Sequence, residues 1–484
     1  MESHRVACRE VLRVCRPSWR EGHGDRAWSA LAEAEDLARD DACLVVEVLA
    51  MRAALHLLAE QVGDAVATAR EAIERGTALL KDGRDCPETR HAVADARVTL
   101  ASMADAGPYP HPSVGGGDAL AQLQEVVDDH TLPAETRGRA INNRLLLSVA
   151  DLHDRLDTTT GQVEAWVRVS EARTLVRDLP HRGTVLRQAL DLGMYCGQWE
   201  RAWSSAQEQL ADDVERNELI ATLAKASVLA WHRGMRAEAR SLGERARSLS
   251  VAVDHPWVRV YAYLGGVVAA ASGGGDLVRA LRAYTRCTSR AGHASRRHRA
   301  WEAAYVALEG GCPPLDVEAF LTATQPGGLS QRSTDEARIV LADASGADVD
   351  PVVAERLLGQ SVDLPMRARL HLALARRYRR AGRPSAAGVE LARARRWLAD
   401  WPGWLLDQVE QEAALVAQEV VATPAQRRVL GLLAEGMSDA AIAQTLGLSP
   451  RTVAVHVAAM LRTNDEPSRT ALAARHVRAQ LAVS

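Results

Sequence analysis

The chain is predicted to be all-α: a long stack of paired helices followed by a small basic helical domain. Three observations predict it. From about residue 27 to residue 421 apolar positions recur at helical spacing, Ala, Leu, Arg and Glu dominate, and no alternating runs bounded by turn residues mark strands. A glycine followed five residues later by an alanine recurs along this body, as paired helices in close contact require. Residues 423–484 carry seven arginines against four acids, a charge of +3, whereas the whole chain carries −3, so the other 422 residues carry −6. A basic domain on an acidic body fits a nucleic-acid contact confined to the C-terminus, because phosphate attraction supplies most non-specific affinity for DNA.

With 484 residues, 47% of them hydrophobic, the chain has material for more than one core. No run of about 18 apolar residues occurs, and arginines interrupt the N-terminal stretch MESHRVACREVLRVCRPSWR. Neither a membrane span nor a secretion signal is expected, and the protein is read as cytoplasmic. Seven cysteines are scattered without a CxxC, which argues against zinc ribbons and disulfides and marks them as small buried hydrophobes. The only lysines, Lys81 and Lys225, lie in GTALLKDG and IATLAKAS. Neither has the glycine-rich loop and following Ser or Thr of a phosphate-binding lysine. No cofactor, metal or catalytic constellation is expected, and the chain is read as a non-enzyme.

Taken in order, residues 1–105 form an N-terminal helical segment. AGPYPHPSVGGGD, Ala106 to Asp118, tolerates neither helix nor central strand, so 106–117 is read as a linker. A weaker break is QPGGLSQRS, Gln325 to Ser333. The body, 118–402, holds GQWERAW from Gly197, GMRAEAR from Gly234, GDLVRAL from Gly275 and GRPSAAG from Gly382. The partner alanines are Ala202, Ala239, Ala280 and Ala387. Spacings of 37 and 41 separate the first three glycines, against about 34 residues in a regular tetratricopeptide repeat. These segments resemble degenerate tetratricopeptide repeats of an α-solenoid. An earlier unit, Leu57 to Ile73, shares a turn glycine at Gly63 but has Thr68 at the alanine position. The basic run SRAGHASRRHRAW, Ser289 to Trp301, is read as a solvated turn, and Trp397, Trp401 and Trp404 as a packed end-cap of the body. Residues 403–422 then form a connecting helix.

The last domain, 423–484, is the most informative. Thr423, Pro424 and Gln426 form a capping box with proline at the first helical position, and Val429, Leu430, Leu432 and Leu433 give the apolar face before Gly436 ends the helix. Ser438 caps a second helix running through Ile442 and Ala443 to Leu446, and in GLSP Ser449 and Pro450 start a third. Two short helices joined by a tight glycine turn form a helix-turn-helix, whose second helix lies in the major groove. Val453, Val457, Met460 and Leu461 make the buried stripe of that third helix, leaving Arg451, Ala454, Val455, Ala458 and Arg462 to face the groove.

VLxLLAEGxS from Val429, IAxxLGLSPRTV from Ile442, His456-Val457, Met460-Leu461 and SRTALA from Ser468 stand at fixed spacing. With them the segment resembles the LuxR-type (GerE-like) DNA-binding domain of bacterial transcription regulators. The resemblance implies a four-helix domain with the third helix on double-stranded promoter DNA and the fourth, about Ser468 to Leu481, in a homodimer on inverted half-sites. It carries over as DNA-contacting positions Ser449, Arg451, Thr452, Ala454, Val455, His456, Ala458 and Arg462. Ala454, Val455 and Ala458 can pack on thymine methyls, while Arg451 and Arg462 reach guanine edges or phosphates. The segment departs from the family at Ala425-Gln426, where a polar pair such as Arg-Glu is usual. It departs again at Ala454, often basic, and at Thr463-Asn464-Asp465-Glu466, where stretches such as K-T-G-A or K-L-G-V stand. The whole architecture resembles the large ATP-dependent LuxR regulators without their nucleotide-binding domain. The helical body is expected to bind a peptide, protein or small-molecule effector, with the protein on the nucleoid when DNA-bound. The alternative is a helical-repeat scaffold whose tail dimerises without sequence-specific DNA binding.

Overall fold

A computed structural model describes the backbone of every residue except 1, 21–22, 60, 84–85, 105–110, 151, 153–154, 157, 213–215, 252, 254–255, 289–292, 325–330, 360–363, 419 and 482–484. It describes the side chains of those residues except 20, 256–257, 288, 293–299, 331–333, 364, 418 and 478–481. Among the described residues there are 25 helices and no strand. They fall into two compact units, Met1–Gly328 and Leu329–Ser484.

The first unit opens with α1 (Glu2–Arg20), α2 (Gly24–Ala38), α3 (Ala42–Leu58), α4 (Val62–Lys81) and α5 (Pro87–Ala101). It continues through α6 (Gly116–Asp128), α7 (Ala134–Ala150), α8 (Thr159–Leu175), α9 (Arg182–Tyr195), α10 (Trp199–Ala211) and α11 (Arg216–His232). It ends with α12 (Arg236–Ser250), α13 (Pro256–Gly273), α14 (Leu277–Thr288), α15 (His293–Glu309) and α16 (Pro314–Thr324). Each helix packs on the next, and from α1 to α15 every odd-numbered helix also packs on the following odd one. That is the nearest-neighbour arrangement of stacked helical pairs.

The two kinds of helix differ in sequence as their positions demand. Of the odd row, α11 buries every residue from Ile220 to His232, as a helix with neighbours on all sides must. Its partner α12 buries only Ala239, Gly243 and Ala246, a narrow stripe of small residues. Gly243 cannot be replaced without moving the backbone: a Cβ there would lie 2.3 Å from the carbonyl oxygen of Gly265 on α13. The turn glycines behave as predicted at Gly197, Gly234 and Gly382, with φ of 65°, 81° and 64°, and Ala202, Ala239 and Ala387 are fully buried. The third unit is shifted by one residue, since Gly274 takes the left-handed conformation with φ 68° and Ala280 is only half-buried. Gly63 sits inside the first turn of α4 rather than between helices. There Ala65 and Ala69 make the buried contacts.

The odd row is also laced by ion pairs that join residues far apart in sequence. Arg9 of α1 holds Glu47 of α3 and Glu88 of α5, each at 2.8 Å. Asp95 of α5 is buried between Arg16 of α1 and Arg139 of α7. Arg187 of α9 meets Glu218 of α11 at 3.0 Å, and Lys225 of α11, only 1% exposed, pairs with Asp191 of α9. The stretch 106–117 lies partly outside the described residues. The core on either side of it is continuous, since Met103 and Ala104 share a buried cluster with Val114, Ala119 and Leu123.

The second unit comprises α17 (Gln331–Ala344), α18 (Pro351–Leu358), α19 (Leu364–Arg380), α20 (Pro384–Trp397) and α21 (Trp404–Gln418). After them come α22 (Pro424–Ala434), α23 (Asp439–Leu446), α24 (Pro450–Asn464) and α25 (Arg469–Leu481). Here α17, α19 and α21 repeat the odd-row packing, with Arg376 on Asp343 at 2.7 Å and Arg379 on Glu412 at 2.5 Å. Trp401 is buried in the α20–α21 connection, whereas Trp397 stays half-exposed under the guanidiniums of Arg367 and Arg396. The break at 325–333 and the basic run at 289–301 lie largely outside the described residues or side chains. Four cysteines, Cys8, Cys15, Cys196 and Cys312, are buried, and all seven are free thiols. Burial pushes the thiols of Cys8, Cys15 and Cys312 up to about 11, as expected of inert packing groups.

Candidate nucleic-acid interface

The four C-terminal helices enclose their own core of Val429, Leu430, Leu433, Ile442, Ala443, Val453, Val457, Met460 and Leu472. Each helix starts where its cap residue dictates. Thr423 Oγ1 accepts from the Gln426 backbone N–H at 3.3 Å, and the Thr423 backbone N–H donates to Gln426 Oε1 at 2.8 Å. Gln426 therefore completes the capping box with an uncharged amide. Ser438 accepts from the Ala441 N–H at 3.3 Å. Ser449 accepts from the Thr452 N–H at 3.0 Å, and the hydroxyls of Ser449 and Thr452 lie 2.8 Å apart. The left-handed Gly447, φ 66°, ends α23 and turns the chain into α24.

On α24 Val453, Val457 and Met460 are buried as predicted, Leu461 is half-buried, and Asn464 extends the inward face by another turn. The predicted contact positions fall on the other side. Ser449, Arg451, Ala454, Val455, Ala458 and Arg462 are exposed, while Thr452 and His456 are half-buried. Val455 is 60% exposed in a domain whose other large apolar side chains are mostly turned inward. Apolar surface flanked by arginines at both ends of a well-capped helix is suited to the methyl-lined floor and phosphate walls of a DNA groove. The uncapped part of the helix N-terminus adds a partial positive charge at the Arg451 end.

The junction between α24 and α25 shows how the departures at Thr463 to Glu466 are accommodated. Asn464 accepts from the Val421 N–H at 2.7 Å and donates to the carbonyls of Val421 and Met460, each at 2.9 Å. A polar residue is thus fully satisfied at a buried position. Glu466 is drawn into an ion pair with Arg475 of α25 at 3.2 Å. Asp465 takes the left-handed C-cap conformation, φ 51° and ψ 41°, which explains why a glycine suits this position. Replacing Asp465 by glycine is expected to stabilise the domain by about 1 kcal/mol, since a left-handed non-glycine residue carries roughly that strain. Thermal unfolding of the variant would show it, and an unchanged or lower midpoint would refute it.

The charge of this domain counts all seven arginines alike, but those with described side chains fall into two sets. Arg427 of α22 donates to the carbonyls of Ala381 and Gly382 in the α19–α20 turn. Arg469 donates to the Met437 carbonyl at 2.9 Å and pairs with Asp439 at 3.1 Å. Arg475 reaches the carbonyls of Asn464 and Ala417, at 3.1 and 2.7 Å. Three arginines therefore hold the domain together and fasten it to α19–α21. Arg428, Arg451 and Arg462 stay exposed and outward. The fastening was invisible in the sequence because its acceptors are backbone carbonyls, which leave no residue-type signature.

Compared with known families, residues 421–474 match the family model of bacterial regulatory proteins, luxR family (GerE). The match covers the four-helix domain from the end of the connector into α25. No curated protein matches the chain.

Proposed function

From a LuxR-family helix-turn-helix domain at residues 421–474, we propose a transcription regulator that lays α24 in the major groove of double-stranded promoter DNA. The observation that carries this reading is the outward face of α24, where Arg451 and Arg462 bracket Ala454, Val455 and Ala458 on a helix fixed by its cap and core. Phosphates are met by Arg451, Arg462 and the hydroxyls of Ser449 and Thr452, with His456 as a further phosphate partner. Thymine methyls are met by the alanines and Val455. A face with few side-chain donors takes much of its selectivity from DNA shape and from the spacing of two half-sites.

The fourth helix supports a homodimer. Thr470, Ala474 and Val477 are exposed at i, i+4 and i+7 on α25, a face of small side chains beside those that pack on α21, α22 and α24. In this reading residues 423–484 contact DNA, 403–422 connect, and the helical segments 1–105 and 118–402, joined through 106–117, bind the effector. The test is titration of the full-length protein on DNA from its own upstream region across a range of salt. Selective binding whose logarithm falls linearly with log salt is expected. Failure to bind even at low salt would favour the scaffold reading, to which the exposed Val455 also lends itself.

A further inference from the structure

The first unit holds a half-open cavity of about 560 Å³ among α8, α9 and α10, within the size range of small-molecule sites. We infer that it binds a small aromatic organic anion, held by Arg177, Arg173 and Arg182 over the Trp166 indole. The lining carries three guanidiniums against one carboxylate, Glu208, in a body whose overall charge is negative.

Two of these guanidiniums are already fixed in place. Glu208 bridges Arg173 and Arg182, the latter at 3.2 Å, and Arg182 also pairs with Asp212 at 3.2 Å. Their carboxylates neutralise part of the charge and hold both side chains at the rim. Arg177, just past the end of α8, is exposed and has no carboxylate partner among the described residues. A guanidinium at a cavity mouth without an acid is a ready partner for a carboxylate or phosphate, which it can grip with two parallel hydrogen bonds.

The same cavity also offers a surface for a flat apolar body, since Trp166 lines it from α8. Trp166 donates its indole N–H to Gln198 at 2.6 Å, Gln198 donates in turn to Gln162 at 2.7 Å, and Arg201 lies 4.7 Å from the ring centroid. The ring is locked, so stacking on it costs little side-chain entropy. Leu186, 1% exposed, adds apolar lining from α9. An anionic head on an aromatic body satisfies the guanidiniums and the indole at once. This gives the effector of the proposed function a chemical class, and rests on that reading only for what binding does to DNA affinity.

The test uses the full chain without DNA, so its outcome is independent of whether the tail binds a promoter. The probe is 1-anilinonaphthalene-8-sulfonate, followed by fluorescence, with N-phenyl-1-naphthylamine as the same ring system lacking the anion. Saturable one-site binding of the anionic probe is expected. Arg177→Ala should weaken it at least tenfold, Arg177→Lys should recover part of the loss, and affinity for the neutral probe should stay within twofold. Benzoate and phenyl phosphate should both displace the anionic probe, the stronger competitor identifying the head group. Arg177 makes no structural ion pair, so the variant retains its fold. Absence of saturable binding, an Arg177→Ala affinity within twofold of the parent, or equal losses for both probes would overturn the inference.

Discussion

Asp95→Ala is expected to destabilise the N-terminal helices by about 3–5 kcal/mol, the effect of removing one partner from a buried ion network. Asp95 is 6% exposed and meets Arg16 and Arg139, whose side chains are 15% and 19% exposed. Without the carboxylate, guanidiniums from two different helices lose the partner they share in a site with little water. The damage should begin locally, because stacked pairs are stabilised by their neighbours, and α1 and α7 both lose a tie to α5. Urea unfolding monitored by circular dichroism measures it. A loss below about 1 kcal/mol would show that the triad is no stronger than a surface pair.

The same carboxylate fixes a pH dependence. Burial alone would push the Asp95 carboxyl up, but the guanidiniums of Arg139 and Arg16 outweigh it and hold it down at about 2. Its folded pKa thus lies below the unfolded value of about 3.9. A depressed pKa gives stability that is full above the unfolded value and lost as pH falls through the folded one. Between pH 4 and pH 2 the parent should therefore lose a little under about 2 kcal/mol from this group alone, the rest of its contribution going between about pH 5 and 4 and below about pH 2. The Asp95→Ala variant lacks the group, so the gap between parent and variant should narrow over that window.

How much of this was legible in the sequence differs between fold and site. Helix identity and the caps of the last domain were readable because they are local: Thr423, Ser438 and Ser449 each act within three residues of themselves. Turn glycines were readable where they alone take the left-handed conformation, and misplaced by one residue at Gly274, where two neighbouring glycines compete for the role. The ion pairs of the odd row were not readable, since Arg16 and Asp95 are 79 positions apart and nothing local marks them as partners. The outward face of α24 was legible from helical period alone. The roles of Arg427 and Arg475 were not, and a charge count that includes them overstates the positive surface available to DNA.

The outward arginines of α24 are the ones available to DNA. Arg451→Ala together with Arg462→Ala should lower affinity for the promoter by about two orders of magnitude or more, since each charged contact to a base or phosphate is worth roughly 1–3 kcal/mol. It should also reduce the slope of log affinity against log salt by nearly 2, as expected when about two neutralised phosphates are lost. Both side chains are exposed and neither is fixed by the domain's own carboxylates, so the variant should keep its unfolding midpoint. Arg475→Ala provides the contrast. It breaks contacts to Glu466, Asn464 and Ala417, so it should lower the midpoint and weaken binding without the same fall in salt slope. If the double variant kept both its affinity and its slope, α24 would not be the DNA-contacting helix. If Arg475→Ala reproduced the full slope change, the internal arginines would be the contacts, and the division of this domain's charge into structural and outward sets would be wrong.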